Sequence, residues 1–147
     1  MRVKVWILIV VLICSVTTAQ TAGPVRIVKV AVECSGDDSL GARLCLALKE
    51  KIRASRGFEL VDQKEAEVSR FALGVDMVSA DIEGSNSNEA NLNSAAAVVL
   101  TLPQRGVSDS YLREFVLVFG ASRIDDQAAN ILAALDKEAS FLWQNSN

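Results

Sequence analysis

The sequence predicts an α+β fold, a two-layer sandwich in which a mixed β-sheet of about five strands carries two helices on one face. Three observations predict it. Five short stretches have the apolar, β-branched character of strands. Two others, residues 40–52 and 124–142, repeat apolar residues every three or four positions, as amphipathic helices do. Their order is strand, helix, strand, then three strands as a meander, then helix, and one apolar stripe on each helix needs a sheet face to cover.

The first strand is read over 26–33. Val28, Val30, Val32 and Cys34 share one side and Lys29 and Glu33 the other. Cys34-Ser-Gly-Asp-Asp-Ser39 turns the chain into a helix capped by Asp38 or Ser39, whose side chain accepts from free backbone N–H groups. Leu40, Leu44, Leu48 and Ile52 then fall four apart, and Gly57 ends the segment. Phe58-Glu-Leu-Val61 is a short second strand, and the polar run 62–67 is a turn or a single helical turn. Residues 70–83 form a long strand with Phe71, Leu73, Val75 and Met77 on one side. The polar segment 84–91 is a hairpin loop, and 92–102 returns as a strand with Leu92, Ala96, Val98, Leu100 and Leu102 aligned. A loop over 103–110 leads to the fifth strand, 111–119. Ser122-x-x-Asp125 resembles a capping box opening the last helix, whose stripe is Ile124, Ala128, Ile131, Leu132, Leu135 and Leu142.

Ahead of this domain, residues 1–19 read as a secretory signal peptide. Arg2 and Lys4 form a basic head, residues 5–14 an apolar run, and Thr17-Thr18-Ala19 a small-residue cleavage site. Cleavage is expected after Ala19, with Ala22 as second choice. Residues 20–25 are then a lead-in broken by Pro24, and 26–145 a single domain. The run is short for a membrane span, although an uncleaved anchor is the alternative. Cys14 invites a lipoprotein reading, but large Ile13 precedes it and the Cys lies inside the apolar run. The expected location is periplasmic or secreted, with membrane contact only through an uncleaved leader.

The 147 residues include no histidine. That removes Ser-His and Cys-His nucleophile activation and the commonest transition-metal ligand. A net charge of −3, more acidic once Arg2 and Lys4 leave with the leader, disfavours nucleic acid and anionic lipid as partners. Ser35 to Gly41 lies between strand and helix, where phosphates bind, yet Asp37 and Asp38 would repel an anion there. It also lacks a Lys-Ser/Thr pair and Gly-x-Gly-x-x-Gly. Asp37, Asp38, Asp76 and Asp81 offer oxygens to calcium, as do Asn86, Asn88, Glu89 and Asn91. None has the alternating ligand spacing of a calcium loop, and capping or hairpin roles suffice. No Ser-x-x-Lys occurs, and no carboxylate pair stands out. No cofactor is expected.

Cys34 and Cys45 are the two cysteines left after leader removal. A residue two turns into a helix that packs back on its strand returns to the strand end, so a disulfide is expected. Ten intervening residues argue against a redox-active pair. Phe141 and Trp143 at the end of the last helix, and Tyr111 at a strand start, are candidate partner contacts; the competing reading is packing at the domain edge.

Leu40-x3-Leu44-x3-Leu48-Lys-Glu-x-Ile52 followed by Gly57-Phe-Glu-Leu-Val-Asp62 resembles the N-terminal domain of the periplasmic Tol–Pal protein TolB. It is also similar to the curli-secretion lipoprotein family, to lipoprotein activators of penicillin-binding proteins, and to small exported bacterial proteins of unknown function with a Leu-Lys-Glu-x-Ile-Arg helix. The resemblance implies a non-catalytic envelope module that touches other proteins, and no site residues carry over from it. The expected function is therefore an exported adaptor that binds a protein partner of the cell envelope. The alternatives are a structural protein that self-associates through sheet edges and, less favoured, a histidine-free hydrolase.

Overall fold

The computed structural model describes residues 27–82, 93–106 and 108–144. The leader, the lead-in and the 84–91 hairpin loop lie outside these residues. Five strands form one sheet: β1 (Val28–Ser35), β2 (Phe58–Val61), β3 (Ala72–Asp81), β4 (Asn93–Leu102) and β5 (Ser110–Gly120). Their spatial order is β2-β1-β3-β4-β5. β1 pairs in parallel with both β2 and β3, whereas β3, β4 and β5 form an antiparallel meander. The mixed sheet and the α+β class are those expected.

Helix α1 (Ser39–Ala54) begins where Asp38 accepts a hydrogen bond from the Gly41 N–H at 2.8 Å, so Asp38 rather than Ser39 is the cap. Its stripe of Leu40, Leu44, Leu48 and Ile52 is buried against Val28, Val30, Leu73 and Val75. Helix α3 (Ile124–Gln144) lies beside it and adds Ile124, Ala128, Ile131 and Leu135 to the same core. The capping box is a correction. Residues Ala121–Arg123 form a 3-10 turn that runs into α3, which places Ser122 inside the helical segment, and Asp125 instead stands 3.9 Å from the Lys51 ammonium.

The polar run 62–67, read as a turn or a single helical turn, is helical and slightly longer. Residues Gln63–Val68 form a short helix, α2, whose cap Asp62 accepts from the Glu65 N–H at 2.8 Å. Ala66 packs with Ala31 and Ala72, which point away from α1, so α2 covers the other side of the sheet. Topology explains why. The chain moves outward from β1 to β2, then back across β1 to reach β3, so the two parallel crossovers run in opposite directions across the sheet. A right-handed crossover must then change faces. Having six residues, α2 spans only β1 and the start of β3.

Candidate functional site

Two regions concentrate the polar and surface features of the domain. The first is the C-terminal end of β1, where the chain enters α1. Asp38 is buried there, and its second carboxylate oxygen accepts from the Ser79 hydroxyl at 2.5 Å. Burial disfavours the charge, but hydrogen bonds from the Ser79 and Ser94 hydroxyls and from the Gly41 N–H and its own outweigh burial and hold the carboxyl below the usual carboxylate range. Two glycines make the approach possible. Gly36 has φ +123°, and a β-carbon at Gly41 would fall 1.8 Å from the Ser79 Oγ. Beside this knot Cys34 and Cys45 form a disulfide, with Cα atoms 6.3 Å apart. The position where the helix start would take an anion is thus filled by an internal carboxylate. With its acceptors satisfied, the cluster locks β1, α1, β3 and β4 together.

The second region is the part of the sheet that α2 leaves open. Residues paired across strands point to the same side. Three rungs therefore face away from α1 and α3: Ala80–Ala95–Val118, Val78–Ala97–Val116 and Asp76–Val99–Glu114. Three of their four valines are bare: Val78 is 58%, Val116 71% and Val118 63% exposed, while Val99 is half-buried. On the opposite side, the rung Met77–Val98–Phe115 belongs to the core. Ala95 and Ala97 of β4 lie low between Val78 on β3 and Val116 and Val118 on β5, so the open face has a shallow trough along this part of β4, which Val99 closes at its lower end. Its lower end is acidic. Glu33 pairs in register with Asp76, and Glu114 stands across Val99. Partial burial, then the charges of Glu33 and Asp109, raise the Asp76 carboxyl above its ordinary value. Among the described residues, the ion pairs are Lys29–Glu65, Lys51–Asp125, Arg53–Glu50, Arg113–Glu138 and Arg123–Asp126, none of which includes Glu33, Asp76 or Glu114.

The three aromatics singled out from sequence do not share one surface. Tyr111 pairs with Thr101 on the open side and is exposed. Trp143 is half-buried at the edge of the core, its ring 4.1 Å from that of Phe71. Phe141, two residues earlier on α3, is mostly exposed. Reasoning from sequence missed Val78, Val116, Val118 and Glu114, and it singled out Asp76 only as an oxygen donor for calcium. The available signal was valine and alanine on both sides of strands 70–83 and 92–102. Among the described residues no group of three His, Cys, Asp or Glu side chains could hold a metal ion.

A separate groove of about 650 Å³ between α1 and the start of α3 is lined by Arg43, Leu46, Glu50, Lys51 and Asp125. Its charges are of both signs, and Lys51 and Asp125 face each other across it. The chain matches no protein-family model and no curated protein.

Proposed function

We propose that the chain is an exported, non-catalytic module that binds another protein through the open half of its sheet. One observation carries this reading. Three valines, Val78 on β3 and Val116 and Val118 on β5, stand more than half exposed on either side of β4, on a face whose other side is a packed core. Contiguous exposed apolar surface of this kind is costly in water and marks interaction sites. The disulfide supports an oxidising compartment, in keeping with a secretory leader. Among the described residues no helix is long and apolar enough to cross a membrane. An architectural kinship with the TolB N-terminal domain and the related envelope modules remains part of the proposal, supported by the strand–helix–strand opening over 28–61.

The test is site-specific photo-crosslinking in cells. A photoreactive residue replacing Val116 should yield a discrete adduct with a second protein, and one replacing Leu46 on α1 should not. Equal labelling from both positions, or none from Val116, would count against the reading. A single carboxylate substitution that abolishes the cellular phenotype in a fully folded protein would overturn its non-catalytic part.

Self-association is the second reading, favoured by β5, an eleven-residue strand at the edge of the sheet. Sedimentation equilibrium separates the two readings, since only the second gives a dimer of the purified chain.

A further inference from the structure

Resting on that reading, we infer that the occupant of the trough is one amphipathic helix of a partner protein, apolar along one side and carrying lysine or arginine where it crosses Asp76 and Glu114. Shape comes first. The trough is bounded by β3 and β5 with β4 as its floor. Two strand spacings of about 4.8 Å make it about 10 Å wide, the diameter of a helix with its side chains. Its three rungs, each about 6.8 Å from the next along the strands, extend about 14 Å, or roughly nine helical residues. The floor residues Ala95 and Ala97 carry only methyl groups, which lets a helix settle between Val78 on one side and Val116 and Val118 on the other. A strand added to the β5 edge would satisfy backbone groups there but leave these valines in water. A helix laid along β4 covers them, as α1 and α3 cover the other face of the same sheet.

Charge then selects the kind of helix. Asp76 and Glu114 flank Val99 at one end of the trough, and Glu33 extends the acidic row to β1. A cationic group placed between the two carboxylates gains attraction from both, and an acidic one is repelled by both. A second copy of this acidic chain presents the same row of carboxylates, and an anionic lipid surface is repelled by it.

The experiment uses the exported chain and two synthetic helical peptides with one leucine–alanine side. In one peptide that side is flanked by lysines, in the other by glutamates at the same positions. Binding is read by fluorescence anisotropy and mapped by amide chemical shifts. The lysine peptide should bind, with shifts centred on Ala97, Val99 and Val116, and the glutamate peptide should not. The double substitution Asp76→Asn/Glu114→Gln should weaken the lysine peptide at least about tenfold and flatten its salt dependence, with the thermal melt showing the variant folded. Equal binding of both peptides overturns the cationic assignment and leaves the protein-binding reading standing. Lysine-peptide shifts spread over Asp125, Asp126 and Asp136, or no binding of either peptide, overturn the inferred occupant. The protein-binding reading is then judged by the Val116 adduct alone. A concentration-dependent dimer that Val116→Lys abolishes assigns the trough to a second copy and overturns the proposal.

Discussion

Asp38 and Asp76 are both partly or wholly withdrawn from water, and their surroundings push them in opposite directions. Asp38 meets hydroxyl and amide donors, so its charged form is favoured in the folded chain. With the folded pKa below the unfolded one, the unfolded chain binds more protons in between. The stability due to Asp38 is present above the ordinary carboxylate value near 3.9 and is lost as pH falls through the lowered folded value. Asp38→Ala removes a cap and leaves the buried Ser79 hydroxyl without its carboxylate acceptor, which should cost about 2–3 kcal/mol by chemical denaturation at neutral pH. Asp76 meets partial burial and two like charges, so its neutral form is favoured. Its contribution is favourable below the ordinary value and is lost as pH rises through the raised folded value. Asp76→Asn should therefore raise the melting temperature at pH 7, and the gain should vanish near pH 3. Melts of the variant and the parent at the two pH values check the sign.

At the scale of elements, local periodicity carried most of what was legible. The stripe of Leu40, Leu44, Leu48 and Ile52 specifies both α1 and the side it buries, because a 3.6-residue period needs no knowledge of the rest of the chain. Leu48 is fully buried at the centre of that stripe, and Leu48→Ala should cost about 2–5 kcal/mol. A loss below roughly 0.5 kcal/mol would contradict this packing. The disulfide was legible for the same reason, since strand end and second helical turn are linked by a short turn. Closing that short loop contributes roughly 3 kcal/mol on the chain-entropy account, so Cys34→Ser/Cys45→Ser should lower stability by about that much. The length of α2 was less legible. Its polar sequence has only Ala66 fully buried, and one alanine gives no period to read. The entry to α3 was misread because Ser-x-x-Asp fits a cap, whereas the chain leaves β5 already turning through Ala121–Arg123.

At the scale of the whole molecule, the open face could not be read from the sequence, because it is a product of strand order. Residues 115–119 are apolar on both sides, the pattern of a strand buried on both faces. Whether the second face is covered depends on where the crossover helix lands, and that follows from β2 and β3 flanking β1 rather than from β5 itself. The energetic consequence is a contrast between valines of adjacent strands. Val98 on β4 is fully buried under the helices, and Val116 on β5 is largely in water. Val98→Ala removes buried carbon and leaves a cavity, an expected loss of about 1.5–3 kcal/mol. Val116→Ala removes carbon that folding leaves mostly in water, so its effect on stability should stay within about 0.5 kcal/mol. Partner capture should show the reverse order. If the open face is the contact surface, Val116→Ala weakens it, and Val98→Ala acts only through the folded fraction. Paired denaturation and adduct-yield measurements on these two variants read both quantities. Similar losses of stability at Val98 and Val116 would mean that the open side of β5 is already covered within the chain, and both the trough and its occupant would fall with it.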